Sequence, residues 1–175
     1  MSNLTLNQTI AIFEDIASRH KQLEDFGTGP SYQIGNVRKM NYPYLWVTLQ
    51  PSNSIVLGEN NKLREVELNV TLILADQLSN VISSERGEDS TNGLEVTSDL
   101  QSILFDIVSE VNNHPFYRTN RIMIKSDVSF SPSFDEKDDS VNAIVADLTI
   151  TMPFNHTYCD SPSASLTDRD LNENC

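Results

Sequence analysis

The side chains capable of catalysis or metal binding are few and poorly spaced. Three histidines occur, His20, His114 and His156, and no two share the H-x-x-x-H or H-E-x-x-H spacing that turns two imidazoles of one helix toward a metal. His20 and His114 fall instead at the ends of two helical patterns, where the helix dipole favours a positive group. Cys159 stands three residues after His156, a juxtaposition that suggests a thiol nucleophile and its base. The surrounding segment has no periodic pattern to hold that pair within hydrogen-bond reach. Cys159 and Cys175, the two cysteines of the chain, are too few for a disulfide framework or a zinc knuckle and read as free thiols. The acidic run Asp135 to Asp139 offers oxygen ligands, but without the D-x-[DN]-x-[DN]-G order and distal glutamate of a calcium loop. Gly27, Gly29 and Gly35 are too widely spread, with no following Lys-Ser or Lys-Thr, to cradle a phosphate. No catalytic residue, metal-ligand set or cofactor site emerges, and the chain is expected not to be an enzyme.

Charge narrows the partners. The 175 residues carry 12 basic against 25 acidic side chains, a formal balance of −13 with a pI near 4.4, so phosphate backbones are repelled at long range. No window approaches the roughly 20 apolar residues of a membrane-spanning helix. The N-terminus MSNLTLNQTI has neither a basic region nor an apolar run, so no secretory signal is visible and synthesis in a cytoplasm is expected. The basic residues come in small groups: Arg38-Lys39, Lys62 with Arg64, and Arg118, Arg121 and Lys125. In so acidic a chain they are expected to meet acidic patches of a neighbouring copy, because complementary potentials set the register of an interface.

Hydrophobic periodicity supplies the elements. Leu6, Ile10, Phe13, Ile16, Ala17 and Leu23 recur mostly at steps of three and four, which predicts an amphipathic helix starting after Asn3 or Thr5 and stopping before Gly27-Thr28-Gly29-Pro30. Aromatic and β-branched residues predict a strand over Tyr44 to Leu49, opened by Pro43. A short strand, Ser54 to Leu57, then leads through the turn Gly58-Glu59-Asn60-Asn61 into a strictly alternating one. There Val66, Leu68, Val70, Leu72 and Leu74 share one face, with Glu65, Glu67, Asn69 and Thr71 on a wet face. Ser79 to Gly93 reads as a polar loop. A second helix is carried by Leu100, Ile103, Leu104, Ile107, Val108 and Val111, with Thr97 or Ser98 as N-cap and Pro115 at its end. Ile122, Ile124, Val128 and Phe130 alternate in one further strand, and Ile144, Ala146, Leu148, Ile150 and Met152 in the last. Between those two, Ser131 to Ser140 reads as the tip of a long hairpin. The expected fold class is α+β: a mainly antiparallel sheet with long hairpins packed against two amphipathic helices, in one domain over residues 1–158. Residues 159–175 read as an acidic tail that stays flexible or orders on a partner.

The order helix, strand, hairpin, second helix, long hairpin, with Asn41-Tyr42-Pro43-Tyr44-Leu45-Trp46-Val47 opening the sheet, resembles the tail terminator and tail-completion proteins of long-tailed bacteriophages. The likeness is one of pattern and covers about Leu4 to Tyr158. It implies a virion subunit that forms a homo-oligomeric ring, commonly a hexamer, which caps the tail tube and joins it to the head connector or stopper. DNA would pass through such a ring without specific binding, a passage that the acidic balance suits. The resemblance also implies contact residues for the next subunit or adjoining ring: Gly58, Glu59, Asn60, Asn61, Lys62 and Arg64 in the first hairpin, and Phe134, Asp135, Glu136, Lys137, Asp138 and Asp139 in the second. A head-tail adaptor, a stopper or a tail tube subunit would share these parts. Outside this class stand a small ligand-binding or hydrolytic α+β domain, and an adaptor that grips a cellular protein by an edge strand or the acidic tail.

Overall fold

The computed structural model describes residues 6–34, 40–50, 53–57, 63–78, 80–82, 89–91, 93–125, 127–135 and 141–153. Along these the elements are α1 (Leu6–Arg19), β1 (Asp25–Thr28), a 3-10 turn (Ser31–Gln33), β2 (Tyr44–Leu49), β3 (Ser54–Leu57), β4 (Leu63–Gln77), β5 (Asn80–Ile82) and β6 (Asp89–Thr91). They continue as α2 (Gly93–Asn113), α3 (Pro115–Thr119), β7 (Met123–Ile124), β8 (Ser129–Asp135) and β9 (Val141–Pro153). The fold is α+β: the described residues form three helices and a mixed, mostly antiparallel sheet of seven strands. Asn3, Thr5, Gly35, Arg38, Lys39, His156, Cys159, Cys175 and the tail lie outside the described residues.

The spine is the antiparallel pair β4 and β9, in register from Glu65↔Pro153 to Gln77↔Val141. On the far side of β4, β3 covers its beginning and β2 its end, while on the far side of β9, β7 and β8 divide its length. The alternation read from the sequence holds on both strands. Leu68, Val70, Leu72 and Leu74 are buried on one face together with Ile144, Ala146, Leu148, Ile150 and Met152. Against them pack Leu100, Ile103, Leu104, Ile107 and Val111 of α2, all fully buried. Each such side chain contributes roughly 1.5–3 kcal/mol through burial.

Several expectations are corrected. The buried face of α1 is Thr9, Ile12, Phe13, Ile16 and Ala17, so Ile10 sits at its margin and Ile12 belongs to the core. Gly27 and Thr28 do not break the chain but lie in β1, parallel to β2, with Gly27 opposite Trp46. Glycine is needed there because a Cβ would fall 2.3 Å from Trp46 Cε3. Helix α2 begins at Gly93, four residues before the expected cap, and Thr97 donates its hydroxyl to the Gly93 carbonyl at 2.8 Å. The expected loop Ser79 to Gly93 contains the two-stranded ribbon β5–β6. The expected strand through Ile122 and Phe130 is broken: β7 ends at Ile124 opposite Ile150, and β8 begins at Ser129 opposite Asp147.

The other face of the sheet carries an apolar cover at one end among the described residues. Met40, Tyr44, Trp46 and Ala75 form a second, smaller buried cluster there, with Ile34, Tyr42, Ile73, Val141 and Ala143 packed around it. Ile34, Met40 and Tyr42, from the chain between β1 and β2, contribute this cover. Further along the face Glu67, Asn69 and Thr149 are half-buried and Thr71 and Thr151 buried.

Candidate functional site

The two hairpins named as contact segments leave the spine at opposite ends. Strand β3 turns into β4 beside the end where Glu65 pairs with Pro153, and β8 turns into β9 beside the end where Gln77 pairs with Val141. Thirteen paired residues separate the ends, about 40 Å at roughly 3.3 Å per residue. The two candidate groups are thus not brought together. Arg64 is solvent-exposed at the start of β4, with Nε 3.2 Å from Glu65 Oε1. Phe134 and Asp135 end β8, opposite Asn142 and Val141. Gly58, Glu59, Asn60, Asn61, Lys62, Glu136, Lys137, Asp138 and Asp139 lie outside the described residues.

Between the two ends, this face carries a polar network. Gln50 Nε2 donates to Thr71 Oγ1, which donates to Asp147 Oδ1, and Thr149 Oγ1 donates to Asn69 Oδ1 at 2.7 Å. Asp127, just before β8, comes in beside them, and Gln50, Asn69, Asp127, Ser129, Asp147 and Thr149 line a groove of about 340 Å³. Toward the β3 end, Lys125 Nζ pairs with Glu67 Oε1, and Ser54 Oγ donates to Glu67 Oε2 at 2.9 Å. The lysine first and the serine second hold the Glu67 carboxyl below its ordinary range. The alternation marks Asn69 and Thr71 as wet, but Asn69 is half-buried and Thr71 is buried, its hydroxyl held between Gln50 and Asp147 of neighbouring segments, which no local pattern announces.

The charged groups of the helices bind element to element. Arg19 at the end of α1 reaches Asp15 Oδ2 at 2.9 Å and Glu110 Oε1 of α2 at 3.0 Å. His20, just past α1, lies 3.4 Å from Asp106 Oδ2. His114 directly follows α2, with its Nε2 4.0 Å from Glu110 Oε1 of that helix, and its Nδ1 also accepts from the Phe116 amide at 3.3 Å, capping the start of α3. Among the described residues no group of three or more His, Cys, Asp or Glu side chains is arranged to hold a metal. No described helix is long and apolar enough to cross a membrane. No family model matches the chain, and no curated protein matches it in sequence.

Proposed function

We propose that the chain is a ring-forming virion subunit, a tail terminator that caps a phage tail tube and joins it to the head connector. The observation that carries this reading is the placement of two hairpins at opposite ends of one rigid ladder. A closed ring of identical subunits needs two different contact surfaces on each copy, because head-to-tail contacts are heterologous. The polar face of the spine and the balance of −13 suit a channel wall past which DNA slides without sticking.

Negative-stain images of the purified chain test the reading. Closed, short rings are the expected result. Long polymerised tubes would transfer the proposal to a tail tube subunit, and a monomer that neither closes into rings nor joins tail tubes would sink it. Exchanging Glu136, Lys137, Asp138 and Asp139 for Gly and Ser should leave the thermal midpoint unchanged while abolishing ring formation or tail joining. Asp135 is retained in that variant because it pairs with Val141 within the sheet.

A further inference from the structure

The two ends of the spine differ in charge as well as in connection. At the β3 and β7 end stand Arg64, Arg118, Arg121 and Lys125. Arg64 and Lys125 are engaged with Glu65 and Glu67, whereas Arg118 and Arg121 are exposed and make no ion pair among the described residues. Apolar side chains are exposed at the same end, with Ile55 61%, Phe116 60%, Leu57 53% and Met123 50% accessible. At the opposite end Asn142 Nδ2 donates to the Gly93 carbonyl at 2.8 Å, which fixes the start of α2 to the start of β9. Here stand Asp76, Glu95 and Asp99, none in an ion pair among the described residues, beside Leu94, which is 89% exposed. Burial first, and the neighbouring Asp99 in addition, hold the Asp76 carboxyl above its usual range, although the Gln77 amide pulls the other way. Neither Lys nor Arg occurs anywhere in α2, β8 or β9, or in β4 from Ile73 onward.

We infer that copies of this chain join head to tail, the cationic and apolar end around α3 and β7 docking on the anionic end of a second copy around the start of α2. The inference rests on the ring reading for the identity of the partner. Docking like ends would set cation against cation, so a two-fold contact is disfavoured and a heterologous one follows. A nucleic acid fits the cationic end less well, because a few arginines interleaved with Glu65 and Glu67 face the repulsion of a chain at −13. A second copy supplies both the carboxylates and an apolar anchor in Leu94.

The test is a charge exchange in the full-length chain, read by sedimentation velocity at about 0.05 M salt, where screening is weak. Wild type should self-associate. The pair Arg118→Glu with Arg121→Glu, and separately the pair Glu95→Lys with Asp99→Lys, should each weaken association about tenfold or more. Mixing the two impaired variants should restore assembly, because each then offers the other a complementary end. Raising the salt to about 1 M should weaken the wild type alone, an arm that needs no variant to fold. A wild type that stays monomeric at high concentration, reversed charges without effect, or no recovery on mixing would each overturn the inference. The two readings fail separately. Charge-dependent open filaments would keep the head-to-tail contact and remove the ring, and closed rings indifferent to both reversals would do the opposite.

Discussion

Gly27 and Trp46 show how one residue fixes another across a strand pair. The indole is buried, and its Nε1 donates to the Gly29 carbonyl at 3.0 Å, so the ring cannot swing aside without losing that bond. Gly29 itself holds φ at 134°, a conformation that L side chains rarely adopt. Gly27→Ala should therefore cost about 1–3 kcal/mol through overpacking. Urea unfolding followed at the single tryptophan measures it, and a change of only a few tenths would contradict the geometry. Two strands away from this logic, Gly-Thr-Gly-Pro read alone is a breaker, because the partner that makes Gly27 and Thr28 a strand lies in β2, across the intervening 3-10 turn. The Tyr44 phenol is a second residue-scale consequence of the small cluster: burial, and then the nearby Tyr42, push it up to about 12. An unfolded tyrosine ionises near 10, so between about 10 and about 12 the folded state keeps a proton that the unfolded state has released. Stability is intact below that window and falls as pH rises through it. Tyr44→Phe should remove this part of the alkaline loss, seen as a shallower decline of the thermal midpoint above about pH 10, with parallel curves below it.

Among the elements, those whose partners matter least to their own pattern were the legible ones. Strand β4 buries one face from Leu68 to Leu74 and β9 one face from Asn142 to Met152, so strict alternation marks them. Helix α2 buries a continuous stripe, and its period marked it too. The ribbon β5–β6 and the break between β7 and β8 carry no such signal, since a few residues of strand are stabilised by what they pair with and not by their composition. Helix α1 is an intermediate case: its period was right and its face was turned by part of a step. Thr9 is fully buried and its hydroxyl lies 3.7 Å from Met152 Sδ, a contact by which a polar residue displaced Ile10 from the centre of the face. Ile12→Ala should accordingly cost about 2–5 kcal/mol, as for other truncations in a packed core. Ile10→Ala should cost much less. Denaturant midpoints of the two variants decide the matter, and a larger loss at Ile10 would place the face as periodicity alone had placed it. Turn chemistry marks where the two hairpins fall, the resemblance alone marks them as contact segments, and their separation along the spine follows from the β4–β9 register.

For the whole molecule, that separation sets a length. If copies join end to end along the spine, each of them spans about 40 Å of the ring's circumference, from thirteen paired residues at roughly 3.3 Å. Six copies then close at about 240 Å, a ring with a mean diameter of about 75 Å. Joining through the long edges of the sheet would give a different object. The path β1-β2-β4-β9-β7 is five strands wide, about 25 Å at roughly 4.8 Å per strand, so six copies side by side would close at a mean diameter of about 50 Å. Edge joining is opposed by Pro132, which lies in β8 and has no amide hydrogen to offer another strand. Class averages of whatever ring the purified chain forms, with its symmetry counted and its diameter measured, separate the two arrangements. A six-fold ring near 75 Å would support the charged ends as the joining surfaces, and a six-fold ring near 50 Å would place the contact on the sheet edges and remove Arg118, Arg121, Glu95 and Asp99 from the interface.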